Sequence, residues 1–294
     1  MKIGIYGQFY HQEAARYVQE LLDILDKKKI EVIIEKNFLD LIHEHDAIDK
    51  NYRHFSTFEE LDTSYDLFFS IGGDGTILKT ATYIRDLNIP IVGINTGRLG
   101  FLATIKKQEI ATSIEKILAG NYTLSQRSLL QVTTGQDTTV FEGINFALNE
   151  IVVSRKNTTS MISISTHLNG ESLTNYWADG LIVSTPTGST GYSLSCGGPV
   201  ITPLTSSLIL TPIAPHNLNA RPLVIPDSTT ITLKVSGREK QHLISLDSRI
   251  ATLENETIIT LKKAPFTISL INLEGESFLK TLREKLLWGE DKRN

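Results

Sequence analysis

Cysteine is nearly absent from this chain. Cys196 is the only one in 294 residues, which excludes an intrachain disulfide, and no Cys/His cluster has the spacing of a zinc site. Long apolar runs are missing as well: nothing approaches the ~18 consecutive apolar residues a membrane-spanning helix needs. Residues 1–7 lack the apolar h-region of a secretory signal. Basic charge is not in excess either, because 29 Lys+Arg stand against 33 Asp+Glu for a net charge of −4, so the overall balance recruits neither nucleic acid nor an anionic membrane. The expectation is a cytoplasmic protein in a reducing compartment that holds any polyanionic partner through local features. Two familiar nucleotide loops are also lacking. There is no Gly-x-x-x-x-Gly-Lys-Ser/Thr P-loop and no Gly-x-Gly-x-x-Gly fingerprint with its acidic partner.

What is present is a globular composition, 40% apolar and 21% charged, long enough for two modest cores. Its first part alternates short apolar runs with helical patterns: a strand at residues 2–6, a helix over 11–28, a strand at 30–35, an apolar strand at 66–71 and another at 89–94. Ile77, Ala81 and Ile84 recur at helical spacing after the 66–71 run, and Ile110, Ile114, Ile117 and Leu118 share a helix face that stops at Gly120. Alternating strands and helices predict an α/β domain with a mainly parallel sheet over 1–122. From about Leu124 period-2 alternation takes over, as in Ile162-Ser163-Ile164-Ser165 and in residues 230–235, and predicts a β-rich domain over 123–272. Phe278, Leu279, Leu282 and Leu286 form a helical stripe within 277–288, so the tail 273–294 is expected to fold as a helix packing back on the first domain.

Gly72-Gly73-Asp74-Gly75-Thr76 lies between the 66–71 strand and a helix expected to start near Thr76. At the carboxyl end of a parallel strand, a helix N-terminus offers N–H groups and a positive dipole end to an anion, and glycines let a polyphosphate approach the backbone. A carboxylate is a poor direct partner for phosphate, so Asp74 calls for its own role: taking a proton from an attacking hydroxyl, or helping to hold the Mg²⁺ of a transferring phosphoryl group. The plainer alternative is a tight turn with Asp74 capping the helix.

The run from Asp179 through Pro199 begins as a short apolar strand and continues as a dense series of hydroxyls and glycines, Ser184-Thr185-Pro186-Thr187-Gly188-Ser189-Thr190-Gly191-Tyr192-Ser193-Leu194-Ser195. Neutral hydroxyls and accessible backbone suit the edges of an adenine ring and sugar hydroxyls, and Tyr192 adds a planar surface with a polar tip. Taken singly, Tyr192 and Ser195 read more simply as parts of a polar loop in a β domain.

The glycine turn resembles the signature shared by NAD kinases, diacylglycerol and sphingosine-type lipid kinases and, more loosely, phosphofructokinases. The longer segment resembles the far more specific NAD kinase signature, with Gly191 where Ala is usual. The resemblance extends to Asn149-Glu150, to Asn95-Thr96-Gly97-Arg98-Leu99-Gly100-Phe101, and to Pro212-Ile213-Ala214-Pro215-His216 with Arg221-Pro222. It implies ATP-dependent phosphorylation of NAD at the adenosine ribose 2′-hydroxyl to give NADP, with Mg²⁺ or another divalent metal accompanying ATP and no protein metal ligand assigned. Inorganic polyphosphate would make similar demands of the donor site.

Residue by residue, the resemblance makes Asp74 the general base, with Gly75 contacting the dinucleotide. Lys79 is a cation within reach of phosphate, or an ordinary solvated lysine. Asn149 offers a donor and an acceptor to adenine, and Glu150 accepts from ribose hydroxyls; the alternative for this pair is a turn before the strand at 151–153. Asp179 orients the nicotinamide end, Thr187 and Thr190 bind adenine, and Gly191, Tyr192, Ser193, Leu194 and Ser195 line the pocket. Trp177 stands where many Gram-negative members have Arg, which leaves the choice between NAD and NADH open. His216 and Asp247 also sit in segments like the family's, but a lone His in a Pro-rich turn reads as structural, and neither is counted as a site residue. The resemblance also implies a homodimer or homotetramer. A lipid kinase and a noncatalytic dinucleotide-binding regulator are the rival readings; the first leaves residues 187–192 without a purpose, the second leaves Asp74 without one.

Overall fold

In a computed structural model, residues 1–8, 12–45, 50–97, 99–135, 141, 143–157 and 160–287 are described, without the side chains of residues 12–14 and 45. His11 and Trp288, the expected ends of two helices, and Arg98 of the extended resemblance lie outside the described residues. The chain divides into two compact units, 1–126 with 268–294, and 127–267.

The first unit alternates β1 (Lys2–Gly7), α1 (Gln12–Lys27), β2 (Glu31–Glu35), α2 (Lys36–His45), β3 (Arg53–Phe55), β4 (Leu67–Ile71), α3 (Asp74–Ile84), β5 (Ile91–Asn95), β6 (Ile105–Lys106) and α4 (Ile110–Leu118). Its strands pair in the order β3-β2-β1-β4-β5, all parallel. The sheet is buried on both faces, which is why β4 and β5 read as continuous apolar runs. Ile3, Ile5, Leu67 and Phe69 join one core with Val18, Leu21, Leu22 and Leu25 of α1 and Ile110, Ile114 and Ile117 of α4. The i, i+3, i+4, i+7 spacing on α1 presents one face, and each fully buried leucine there contributes roughly 1.5–3 kcal/mol. Phe68 and Ser70 point the other way, toward α3, where Thr80 donates to Ser70 Oγ at 2.9 Å. Gly4 makes room for Phe68, whose ring would lie 2.5 Å from a Cβ at that position.

Helix α2 and strand β3 go beyond the elements that sequence patterns identify. β3 has three residues and buries only Phe55, too little for an alternating pattern to register. α2 instead starts on a side chain, because Glu35 Oε2 accepts from the Phe38 amide at 2.9 Å.

The second unit is formed by the C-terminal part of β7 (Tyr122–Thr134), β8 (Phe146–Ala147), β9 (Glu150–Arg155), β10 (Ile162–Leu168), β11 (Glu171–Ala178), β12 (Gly180–Ser184), a short helix α5 (Tyr192–Ser195), β13 (Ser207–Ile213), β14 (Leu223–Pro226), β15 (Ile231–Ser236), β16 (Gln241–Leu246), β17 (Arg249–Glu254) and the first part of β18 (Ile258–Leu273). One antiparallel set runs β11-β10-β15-β18 and another β14-β13-β12-β9-β16-β17. Alternate residues of both sets, among them Ile162, Ile164, Leu233 and Val235 from one and Val153, Leu181, Val183 and Ile244 from the other, form a single core.

The distal part of β18 belongs to the first unit, where Leu270 pairs in parallel with Ile91. It leads to α6 (Phe278–Leu286), capped by Ser277, whose hydroxyl accepts from the Lys280 amide at 3.1 Å. Thr281 and Leu282 are the buried face of α6, while Leu279, expected on the packed stripe, is 56% exposed. The stripe follows 278, 281–282 and 286, and 279 falls to one side of it.

Candidate functional site

The order 3-2-1-4-5 places the topological switch of the first sheet between β1 and β4, where connections leave in opposite directions and a crevice opens at the carboxyl ends. Both flanking loops carry polar groups. Gln8, after β1, donates its amide to Ile71 O at 3.1 Å and accepts from Thr76 Oγ1 at 3.4 Å. After β4 come Gly72, at φ +152, where a Cβ would overlap Thr76 Oγ1, and Gly73, the N-cap of α3, with no side chain to cap it. A Cβ at Gly73 or Gly75 would meet nothing within 4 Å, so the backbone is open on that side.

Asp74 is the first residue of α3 and does not cap it. Its carboxylate turns instead to the segment after β5: Oδ2 accepts from the Phe101 amide at 2.7 Å, and Oδ1 from the Leu102 and Ala103 amides at 2.9 and 3.1 Å. Three backbone donors thus fix the orientation of the carboxylate at the start of α3. Lys79 is exposed on α3, and among the described residues no side chain pairs with it.

In the second unit, Asn149 and Glu150 open β9. What holds them is Asp247, in the tight turn between β16 and β17 at φ +51. Its carboxylate accepts from the amides of Leu148 at 3.0 Å, Asn149 at 2.8 Å and Glu150 at 3.2 Å. Sequence reasoning set Asp247 aside, and the only local signal was an aspartate in a turn. Burial raises the pKa of Asp247. Glu150 is 9% exposed, and burial first, then the Asp247 charge, push it up to about 8. Its buried Oε2 has no hydrogen-bond partner among the described residues, which leaves an acceptor with unmet demand.

The hydroxyl-rich segment divides into two populations. Thr185 donates to Leu148 O at 2.6 Å and accepts from the Gly188 amide; Ser189 bonds Pro186 O and Ile201; Ser193 pairs with Thr211 at 2.8 Å. These side chains hold the loop itself. Thr187 Oγ1 is buried without a hydrogen-bond partner among the described residues, Thr190 donates to Thr187 O at 3.2 Å, and Tyr192 is 45% exposed. Tyr192, Ser193, Leu194 and Ser195 form α5, of which only Ser193 is buried. Gly188 packs on the Asn149 backbone, so the structure brings Asn149, Glu150, Thr187 and Gly191 together. Asp179 is engaged by Arg155 of β9 at 2.9 Å, a partner that sequence reasoning missed because it arrives through strand pairing. Trp177 is 52% exposed and lies against His216, with ring centroids 4.3 Å apart and the His216 amide bonded to Trp177 O at 2.8 Å. Trp177 lines a cavity of about 360 Å³ together with Pro215 and Asn217, the chain neighbours of His216.

Comparison with known proteins gives consistent results. Residues 3–122 match a family model described as the ATP-NAD kinase N-terminal domain, and residues 148–273 one described as its C-terminal domain. The chain is 67% identical to an NAD kinase of Christiangramia forsetii and 55% identical to one of Flavobacterium psychrophilum, each over the full length of both chains. Among solved structures, a yeast NADH kinase complexed with NADH shares the fold at TM-score 0.86 and 23% identity, covering 99% of this chain and 88% of that one. An NAD kinase from Archaeoglobus fulgidus in complex with ATP does so at TM-score 0.76 and 24% identity, covering 98% and 99%.

Proposed function

The chain belongs to the NAD kinase family and phosphorylates NAD at the expense of ATP, and from that premise we propose which residues carry the reaction. Asp74 is the general base at the adenosine ribose 2′-hydroxyl. A carboxylate has about four acceptor sites. Three are taken by the amides of 101–103, two on Oδ1 and one on Oδ2. The remaining site, on Oδ2, is the one we assign to the incoming hydroxyl. Proton transfer to it leaves the ribose oxygen free to attack the γ-phosphorus of ATP in line.

Gly75 and the uncapped start of α3 approach phosphate, and Lys79 adds a mobile cation beside it. A divalent ion carried by ATP would supply charge neutralisation at the phosphoryl oxygens. An ATP-borne Mg²⁺ keeps most of its ligands from phosphate and water; with its about four acceptor sites taken by three amides and the hydroxyl, Asp74 is left without a site for the ion, and no protein ligand is assigned to it. The dinucleotide is gripped by Asn149 and Thr187 with Thr190 at adenine, and by Glu150 at ribose. Asp179, fixed by Arg155, serves the nicotinamide end, and Gly191, Tyr192, Ser193, Leu194 and Ser195 form the wall. Ser193 contributes through its backbone, since its hydroxyl is engaged by Thr211.

The observation that carries this assignment is the Asp74 carboxylate, fixed by three amides at the switch point yet retaining one acceptor site. Purified wild-type and Asp74→Asn protein incubated with Mg-ATP and NAD, NADH or a diacylglycerol test it. NADP from NAD by the wild type, with the variant slowed ~10²–10⁴-fold, is the expected result; equal NADP formation by the variant refutes it. No helix among the described residues is long and apolar enough to cross a membrane. We place the enzyme in the cytoplasm as a homodimer or homotetramer, which light scattering on the eluted protein checks directly.

A further inference from the structure

The segment that satisfies Asp74 has little regular structure of its own. Between β5 and the two-residue β6, residues 96–104 form no helix or strand among the described residues. The amides of 101–103 hold one side of the segment to Asp74, and α6 holds the other. Lys285 Nζ donates to Leu99 O at 2.5 Å, and the same ammonium lies 5.5 Å from the centroid of the Phe101 ring. Phe278, two turns earlier on the same face of α6, packs on Phe101 with ring centroids 6.3 Å apart. Leu99 and Phe101 are thus fixed from outside by one helix, while the amide of Phe101 and the two that follow aim at one carboxylate. An amide donor aims well only if its peptide plane is held.

We propose that α6 is a positioning element for Asp74, acting through Lys285 on Leu99 and through Lys285 and Phe278 on Phe101. The inference rests on the assignment of Asp74 to the reaction. Its physical content is that the base is aligned by a loop whose outer anchor lies about 180 residues later in the chain, Lys285 being 186 residues from Leu99. Lys285 touches no reacting atom, and its charge is exposed, so its effect on overall stability is small. Its effect on the aim of the carboxylate is large by comparison, because misplacement of about 1 Å costs on the order of 10²-fold in rate.

Lys285→Ala, Lys285→Arg and Phe278→Ala test this on the full chain, with Arg283→Ala, an exposed position on the same helix, as the control. Two quantities are read: amide hydrogen exchange across residues 99–103, and kcat with KM for NAD and ATP. Lys285→Ala and Phe278→Ala are expected to speed exchange at 101–103 and to lower kcat about three- to tenfold, with both KM values within about twofold. Lys285→Arg restores both, since a guanidinium can donate to the same carbonyl and lie over the same ring. Unchanged exchange in Lys285→Ala, or faster exchange with unchanged kcat, overturns the proposal. Failure of the underlying assignment looks different: Asp74→Asn would then turn over normally, whatever Lys285→Ala does to exchange.

Discussion

The α-carbon of Gly100 lies against the carboxylate of Asp74, so close that a Cβ would overlap Oδ1. The two residues are separated by a helix, a strand and a loop, yet each sets the space of the other. Gly100→Ala should therefore push the carboxylate off the amides of 101–103. We expect turnover to fall by roughly 10²-fold, the cost of misplacing a reacting group by about 1 Å, with a stability loss of about 1–3 kcal/mol from overpacking. Steady-state kinetics with a thermal melt measure both, and an active, unperturbed alanine variant contradicts the geometry.

Asp74→Asn separates the chemical role of the carboxylate from its structural one. The amide loses the base, so kcat should fall by ~10²–10⁴-fold while NAD binding is largely kept. It also turns an NH₂ group toward backbone amide donors that thereby lose their acceptor, which costs about 1–3 kcal/mol of folding free energy. Isothermal titration with NAD and a denaturant melt on the same sample resolve the two. Near-normal NADP formation removes Asp74 from the role of base.

Much of this was legible in the residues themselves. The apolar runs at β4 and β5 and the glycine turn between β4 and α3 marked the carboxyl end of a parallel strand as the place for phosphate, because buried parallel strands and phosphate loops have compositional signatures; the strand order that makes this the switch point did not show in the residues. The partners of Asp74 did not: its amide donors lie 27 to 29 residues away and carry no side-chain signal. Asp247 was illegible for the same reason, holding amides 97 to 99 residues distant through a hairpin turn. In the 184–195 run, hydroxyl density was visible, but which hydroxyls hold the loop was not. That division depends on Leu148, Ile201 and Thr211, which only the fold brings near.

Glu150 predicts a pH dependence with a definite sign. Its folded pKa of about 8 stands above the ordinary 4.5, raised by burial and then by the Asp247 charge. The stability linked to it is fully present below 4.5 and is lost as pH rises through 8. Ribose binding runs the other way, since only the ionised carboxylate accepts from two hydroxyls. KM for NAD should fall as pH is raised from about 7 to 9, by up to about tenfold per unit below the transition. Glu150→Gln flattens this profile. Asp247→Asn shifts it toward lower pH, because one of the two causes of the raised pKa is gone. A profile unchanged in Glu150→Gln assigns the dependence to another group.

Two glycines three residues apart should respond to alanine in opposite ways. A Cβ at Gly191 would lie 2.9 Å from Glu150 Oε2 and 3.2 Å from Gly188 O, and the nearer of these is the free end of a flexible side chain. The carboxyl can move by a few tenths of an ångström, so Gly191→Ala should fold normally and show only a KM for NAD raised about threefold, a free-energy change of roughly 0.7 kcal/mol. At Gly188 the atoms in the way are the carbonyl and α-carbon of Asn149, in a backbone that Thr185 and Asp247 already pin. Nothing there can yield cheaply. Gly188→Ala should cost about 3 kcal/mol and lower the melting temperature by roughly 6–12 °C. If both variants melt alike, the backbone of Asn149 is not the fixed wall that its hydrogen bonds make it, and the placement of Asn149 and Glu150 as ligand-facing groups loses its support.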